Sequence, residues 1–164
     1  MRSTLSVDVA APGQLVFRLA RDVERWPCLL PHYVGVRAVE RRPDGAIVAE
    51  MVARRELIRV LGLGLPVAWR SRTWNEPDGL RLRFVHLGGA TNGMDVTWRI
   101  ERFETGCRVS IDHRFEPRMP GWAWFVDRAF TRPIASRTLA TFKAIAEALA
   151  SDESVAAPPA NHLS

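Results

Sequence analysis

The sequence predicts an α+β domain in which a seven-stranded antiparallel sheet curls around one long C-terminal helix. Residues 121–150 place apolar side chains at helical spacing, which gives this helix one broad apolar face that must be covered. Upstream, between residues 3 and 116, apolar and polar side chains alternate as in strands with one covered face. We expect the sheet to cover the helix and to leave space between the two.

One strand and two short helices are predicted at the start of the chain. Residues 3–10 alternate between apolar and polar side chains, and Pro12 follows as a suitable first-turn residue of a helix. Helical spacing continues over residues 13–31. Because Pro27 and Pro31 do not fit inside one continuous helix, we expect two short helices here.

Six further strands follow in meander order, and each is bounded by residues typical of turns. We predict strands at residues 32–41, 47–57, 67–74, 80–87, 94–103 and 107–115. Pro-Asp-Gly at residues 43–45 and 77–79 is typical of tight turns. Pro133 should bend the final helix. We expect one domain over residues 1–150, and a disordered tail over residues 151–164.

The composition predicts a cytoplasmic globular protein with no metal and no cofactor. Hydrophobic residues make up 47% and charged residues 25% of the chain, and neither a membrane span nor a secretory signal is recognisable. Cys28 and Cys107 lie far apart, without a CxxC pair or a histidine cluster, so the sequence predicts neither a disulfide nor a zinc site. The glycines at 62 and 64 do not form a dinucleotide-binding loop.

Arginine supplies almost all of the positive charge. The net charge is +5, and Lys143 is the only lysine. Many arginines occupy alternate strand positions opposite apolar residues, as on the solvent-facing side of a sheet; these are Arg70, Arg72, Arg81, Arg83, Arg99, Arg108 and Arg114. Because no basic run or helix-turn-helix pattern accompanies them, the sequence argues against a nucleic-acid partner.

The opposite strand faces are mostly apolar, so we expect them to point inward. Alternation places four polar side chains on these faces: Ser71, Thr73, His86 and His113. A buried polar group without a hydrogen-bond partner costs about 1 to 3 kcal/mol. Four such groups on one concave surface therefore favour a ligand cavity with apolar walls and a few polar side chains.

Residues 3–150 resemble the helix-grip domains of the START and polyketide cyclase superfamily. The resemblance lies in Ala11-Pro12, in residues 21–42 and 93–106, and in the closing helix. Within it, DVERWPCL at residues 22–29 is similar to the D-[VI]-E-x-[WY]-P-x-[FL] run of that superfamily. The resemblance implies a helix-grip fold and an apolar ligand.

Two subgroups of the superfamily imply different functions. In aromatic polyketide aromatase/cyclases, the positions that match Trp26, Tyr33, Trp69 and Trp98 line the cavity. Thr73 departs from that pattern, because the cyclases carry there an arginine that orients and polarises the ketide. The second subgroup, which is similar to coenzyme Q-binding carriers, shares the segment around Trp26 and performs no chemistry.

We therefore expect the chain to bind an apolar polyketide-like, isoprenoid-like or lipid-like molecule between the sheet and the last helix. The alternative is a polyketide aromatase/cyclase, with His113, His86 or Tyr33 as the catalytic acid or base. No nucleophile motif such as G-x-S-x-G is present. The expected ligand-binding residues are Trp26, Tyr33, Trp69, Ser71, Thr73, Phe84, His86, Trp98, His113, Phe125 and Phe142.

Apolar residues also occupy a predicted hairpin tip within residues 57–69, where polar residues are usual. An apolar tip is typical of a cavity gate, a dimer contact or a loop that touches a membrane. Trp122, Trp124 and Phe125 would form the other half of a gate. The candidate partners are thus an acyl carrier protein, a membrane surface or a second copy of the chain.

Overall fold

A computed structural model describes residues 1–58, 63–77, 79–117, 119 and 121–156 of the chain. The strands are β1 Arg2–Val9, β2 Tyr33–Arg41, β3 Ile47–Ile58, β4 Leu63–Glu76, β5 Arg81–His86, β6 Asp95–Phe103 and β7 Gly106–Arg114. The α-helices are α1 Gly13–Arg21, α2 Trp26–Leu29, α3 Trp122–Val126 and α4 Arg132–Ala156. Short 3₁₀ turns lie at Val23–Arg25 and Gly89–Thr91, and a π-helical turn lies at Asp127–Thr131.

The strands form one antiparallel sheet in the order β1-β7-β6-β5-β4-β3-β2. Consecutive strands from β2 to β7 are neighbours, and β1 completes the sheet by pairing with β7. The two short helices connect β1 to β2, and α4 packs against β1, α1 and β3. The predicted fold class, a seven-stranded sheet with a long C-terminal helix, is confirmed.

The core lies where α4 meets the concave face of the sheet. Phe142 of α4 is 1% exposed, and its ring lies 5.6 Å from the ring of Trp98 and 5.9 Å from that of Trp26. Both contacts have edge-to-face geometry, which favours packing of aromatic rings. This cluster packs the helix against the sheet.

The opposite face of the sheet carries ion pairs, as predicted for a solvent-facing side. Pairs across neighbouring strands join Arg70 to Glu50, Arg83 to Glu76 and Asp95, Arg99 to Asp112, and Arg108 to Asp8. The carboxylates of Asp8 and Glu50 have lowered pKa values, because arginines donate hydrogen bonds to both.

Strands β3 and β4 extend further than the sequence predicts. Ile58 pairs with Leu63, whereas the predicted strands end at residue 57 and begin at residue 67. The pairing in this extension is antiparallel, with a register shift between Glu56 and Ile58. Leu65 is 45% exposed. The rest of the predicted tip, residues 59–62, lies outside the described residues.

The last helix also differs from its predicted bounds. It continues to Ala156, beyond the expected end at Ala150. No glycine or proline interrupts residues 151–156, and Ser151 Oγ donates a hydrogen bond to the Glu147 carbonyl at 2.9 Å. Part of the predicted disordered tail is therefore helical, and residues 157–164 lie outside the described residues.

A π-helical turn interrupts the predicted single helix just before Pro133. Proline has no N–H, and its ring collides with the carbonyl four residues earlier. Here Arg132 N–H donates to the Asp127 carbonyl, five residues back. One extra residue in a turn shifts the following side chains by about 100° around the axis. The side chains of α3 and α4 therefore do not share the continuous face that the sequence predicts.

Candidate ligand-binding cavity

A cavity of about 80 Å³ lies between the concave face of the sheet and the C-terminal helical segment. Most of its wall is apolar and comes from Trp26, Met51, Val67, Trp69, Phe84, Met94, Val96, Trp98, Ile111, Phe130, Ile134 and Ala135. The polar side chains in the wall are Tyr33, His86, Thr91, His113, Thr131 and Thr138. Inward-facing strand residues supply most of this wall, as alternation predicts.

Seven of the eleven predicted site residues line the cavity, namely Trp26, Tyr33, Trp69, Phe84, His86, Trp98 and His113. The other four, Ser71, Thr73, Phe125 and Phe142, lie outside it.

Ser71 and Thr73 point inward but stop short of the cavity. Both are buried, and they pair in the sheet with His86 and Phe84 respectively. The larger side chains of His86, Phe84 and Trp69 reach the cavity in their place. Ser71 Oγ lies 3.4 Å from the Val85 carbonyl, which satisfies the hydroxyl locally.

The two predicted phenylalanines lie outside the cavity wall for different reasons. Phe142 is buried in the core cluster beside the cavity. Phe125 is 45% exposed and contacts Trp122 and Phe130, with ring centroids 5.4 and 5.9 Å apart. Helical spacing places Phe125 and Phe130 on the same apolar face, and of the two only Phe130, which lies in the π-helical turn, lines the cavity.

Trp26 organises the aromatic part of the wall. Its ring contacts Tyr33 at 5.1 Å, Trp98 at 5.6 Å and Phe84 at 5.8 Å. Its indole Nε1–H donates to the Ala20 carbonyl at 3.0 Å, so that the donor is used within the protein. Trp26 therefore offers the cavity an apolar ring surface.

His86 is held from two sides. Its ring stacks on Trp69 with centroids 5.7 Å apart, and its Nδ1 lies 2.7 Å from Thr91 Oγ1. Gly89 has a φ of +77°, and a Cβ there would lie 2.9 Å from the Ala68 carbonyl, so glycine allows this loop to approach the sheet. Burial, with a further contribution from His113, lowers the pKa of His86 to about 3.

His113 is the second imidazole of the cavity and is 7% exposed. Burial lowers its pKa to about 4, although the nearby Asp127 carboxylate opposes this shift. Both cavity histidines are therefore neutral at pH 7. In that state each can accept a proton or a hydrogen bond, and neither offers a positive charge to a ligand.

Tyr33 and Thr138 form a second polar region. Burial raises the pKa of Tyr33 above its usual range, and the Thr138 hydroxyl partly opposes this shift. Thr138 Oγ1 donates to the Ile134 carbonyl at 2.8 Å and lies 2.8 Å from Nε2 of the buried His32. The phenol is thus a neutral hydrogen-bonding group.

Sequence reasoning missed Thr91, Thr131 and Thr138 as polar wall residues. Thr138 follows Ile134 by four residues on the same helix face, a spacing that could have identified it. Thr131 lies in the π-helical turn and Thr91 in a short 3₁₀ turn. Neither position follows from a regular helical or strand period.

Within the described ranges, no group of three or more His, Cys, Asp or Glu side chains could hold a metal ion. The helices in the same part of the chain include none that is long and apolar enough to cross a membrane.

Residues 9–142 match the family model described as polyketide cyclase / dehydrase and lipid transport. The chain belongs to this family. A search of curated proteins finds no match to this sequence.

Solved structures show the same fold in other proteins. Zhui aromatase/cyclase from a Streptomyces species is 18% identical, with a TM-score of 0.73 over 90% of this chain and 93% of that chain. A START superfamily protein from Mycobacterium smegmatis is 15% identical, with a TM-score of 0.59 over 93% of this chain and 98% of that chain. The di-domain aromatase/cyclase BexL is 26% identical, with a TM-score of 0.68 over 88% of this chain and 45% of BexL.

These structures agree with the helix-grip resemblance found in the sequence. The family match confirms that the chain belongs to the polyketide cyclase / dehydrase and lipid transport family, and the solved structures share its fold.

Proposed function

We propose that this protein binds an apolar, ring-containing small molecule in the cavity between the sheet and the C-terminal helical segment. The observation that carries this proposal is the wall itself, in which apolar side chains predominate, with the rings of Trp26, Trp69, Phe84, Trp98 and Phe130 among them, and a few neutral polar groups are placed apart. Such a wall stabilises a ring system by apolar contact and orients it by hydrogen bonds.

The cavity volume limits how a ligand can fit. About 80 Å³ is well below the roughly 300 to 1,000 Å³ of common ligand sites. One ring can occupy the space, and a larger ligand requires part of the wall to move. Phe130 and Thr131 belong to the π-helical turn, where the regular helical hydrogen bonds are already interrupted. We therefore place the expansion at this turn.

Filling the cavity tests the proposal without removing a core side chain. Ala135 is 6% exposed and lines the cavity from α4. Leucine at this position would occupy the space that the ligand needs. We expect Ala135→Leu to weaken binding of 2-naphthol by about tenfold or more, a loss of about 1.4 kcal/mol. Binding is measured by naphthol fluorescence, excited beyond the absorption of tryptophan.

The matched control is Ala140→Leu, since Ala140 lies on the same helix with its side chain exposed. This variant should bind 2-naphthol as the unmodified protein does. Equal affinity in the unmodified protein and Ala135→Leu, or no naphthol binding at all, would contradict the proposal. Native mass spectrometry of the freshly purified protein would then identify any apolar molecule that it retains.

Polyketide aromatase/cyclase activity is the second candidate function. Two of the compared structures carry that name, and Tyr33, His86 and His113 line the cavity. A neutral imidazole could remove a proton from an acidic methylene of a polyketone, while the Tyr33 hydroxyl donates a hydrogen bond to its carbonyl. The ketide would come from an acyl carrier protein or arrive free.

The described residues of the cavity wall carry no positive charge, and this favours a binding function over a catalytic one. Thr73 occupies the position where the related cyclases are expected to have an arginine, and it lies outside the cavity. The described residues that line the cavity include no arginine or lysine. The developing negative charge of an enolate would therefore be stabilised by neutral hydrogen bonds alone.

Incubation with a minimal polyketide synthase tests the cyclase directly. If the protein is a cyclase, the ring pattern of the products should change on its addition, and His113→Gln should reverse most of that change. The products are compared by liquid chromatography and mass spectrometry. An unaltered product profile would exclude the cyclase and leave the binding proposal standing.

A further inference from the structure

Strand β1 forms one edge of the sheet, and half of its backbone groups point away from its neighbour β7. Met1 and Phe115 exchange backbone hydrogen bonds of 2.7 and 3.0 Å, so the odd-numbered residues of β1 bond to β7. Hydrogen-bonded and non-bonded pairs alternate in an antiparallel ladder. The N–H and C=O groups of the even-numbered residues of β1 therefore face outward, at the edge.

Helix α4 covers the end of this edge. Lys143 Nζ donates to the Asp8 carbonyl at 2.7 Å, and the Glu147 carboxylate accepts from the Ala10 N–H at 2.8 Å. Side chains that bind the backbone of an edge strand hinder the approach of another strand. This protection is confined to the C-terminal part of β1.

The N-terminal part of the edge faces an open groove. Thr4 and Ser6 are exposed, and within the described ranges no hydrogen bond reaches their backbone N–H or C=O groups. A groove of about 530 Å³ lies between this part of β1 and α4. The exposed α4 side chains that line it include the small Ser136, Ala140 and Ala144. The backbone of β1 is therefore accessible to a further strand here.

The other edge of the sheet is protected in a way that β1 is not. β2 pairs with β3 through two irregularities, one at Tyr33–Gly35 and one at Ala38–Glu40. Bulges of this kind twist an edge strand and hinder its pairing with another chain. By contrast, β1 pairs with β7 along its whole length without a register shift, and it contains no lysine or proline. The regular edge of β1 is thus suited to pairing.

The side chains on the outer face of β1 are complementary to those of a second, antiparallel copy. They are, in order, Arg2, Thr4, Ser6 and Asp8, and all are exposed. When Leu5 lies opposite Leu5 of the second copy, each Arg2 lies opposite an Asp8. In the same register, each Thr4 lies opposite a Ser6. Opposite charges and hydroxyl pairs across neighbouring strands stabilise a sheet.

Arg2 also lacks an acidic partner within its own chain. Its cross-strand neighbour on β7 is Arg114, so that two like charges lie opposite each other, which destabilises a sheet. Among the described residues, the nearby carboxylates of Asp8 and Glu116 pair instead with Arg108 and Arg114. Asp8 of a second copy would provide the negative charge that Arg2 lacks.

We propose that two copies of this chain associate by antiparallel pairing of their β1 strands, with the two Leu5 residues opposite each other. Thr4 of each copy exchanges backbone hydrogen bonds with Ser6 of the other. The side chains of Leu5 and Val7, which are half-buried in one chain, are covered further by the second copy. Because both copies use the same surface, the pair closes as a dimer. This inference goes beyond ligand binding and does not depend on it.

Sedimentation equilibrium of the unmodified protein, with any purification tag at the C-terminus, tests the association. Contacts this short belong among small, transient interfaces, so we expect a dimer with a dissociation constant on the order of 10 µM. A mass that stays at that of one chain well above this concentration would overturn the proposal.

Reversal of one charge tests the predicted pairing of Arg2 with Asp8. Arg2→Glu places two acidic side chains opposite each other at both ends of the contact, and it should weaken association about tenfold. Within one chain the same change removes the like-charge contact with Arg114, so the variant should fold. Arg54→Glu is the matched control, because Arg54 is exposed on β3, far from β1 in the strand order. It should associate like the unmodified protein.

Cysteine cross-linking tests the register. Cys28 is exposed and is first replaced by serine, whereas Cys107 is buried. In this background Leu5→Cys sets two thiols opposite each other, with Cα atoms about 4.5 Å apart, and air oxidation should link the copies. Val7→Cys is the matched control. Its two cysteines would lie about 14 Å apart, too far for a disulfide. Linked chains are detected by non-reducing electrophoresis.

A dimer that forms equally well with Arg2→Glu would overturn the proposal. Equal cross-linking of the Leu5→Cys and Val7→Cys variants, or cross-linking of neither in a dimeric protein, would also overturn it. Ligand binding in the cavity is measured separately and is not decided by any of these results.

Discussion

Replacement of Phe142 by alanine should lower the free energy of unfolding by about 3 to 5 kcal/mol. Phe142 is 1% exposed and packs edge-to-face against both Trp26 and Trp98. Its removal loses apolar burial and leaves a hole between α4 and the sheet that rigid neighbours cannot fill. Urea unfolding followed by circular dichroism measures the change.

Phe103→Ala provides the matched control for this prediction. Phe103 ends β6 with 47% exposure, so the same chemical deletion should cost less than about 1 kcal/mol. Comparable losses in the two variants would show that Phe142 does not occupy the core position described here. The comparison also separates the contribution of packing from any general effect of removing an aromatic ring.

Acidification should destabilise the protein between pH 6.5 and about pH 4, in part through His113. The ordinary pKa of 6.5 falls to about 4 in the folded protein because the imidazole is buried. Between these values the unfolded chain binds a proton that the native state does not. Stability therefore falls as pH decreases, by about 1.4 kcal/mol per pH unit and about 3 kcal/mol over the range.

His113→Gln should flatten that part of the pH profile. Urea unfolding at pH 7.5, 6, 5 and 4.5 gives the slope for the variant and for the unmodified protein. His86 has a similarly lowered pKa, again because of burial, so His86→Gln should remove a separate part of the slope. Above pH 7 neither substitution should change the slope. The assignment would be wrong if His113→Gln leaves the slope below pH 6.5 unaltered.

The sequence determined the architecture because its patterns report periodicity directly. Alternation at period two located seven strands and separated inward from outward residues, as at Trp98 and Arg99 of β6. Helical spacing located the long C-terminal segment, and turn residues marked most strand ends. These features depend on neighbours in the chain, so they can be predicted without knowledge of distant contacts.

The same local information identified the strand-borne part of the cavity. Trp69, Phe84, His86 and His113 line it because their strands have regular alternation. Regularity fails before Pro133, where the π-helical turn interrupts the helix and Phe130, rather than the predicted Phe125, lines the wall. A helical wheel assumes a constant angle per residue and does not register one extra residue in a turn.

Only the tertiary structure brought Ser3 of β1 and Asp127 of the π-helical turn close to His113 of the cavity wall. Ser3 precedes both His113 and Asp127 by more than a hundred positions in the sequence, and no local pattern relates it to them. Closure of the sheet by β1 against β7 and the position of the π-helical turn decide their meeting. The sequence alone determined that an apolar concave surface faces one helix. The three-dimensional packing decided which polar side chains line the cavity, because that depends on contacts between distant segments.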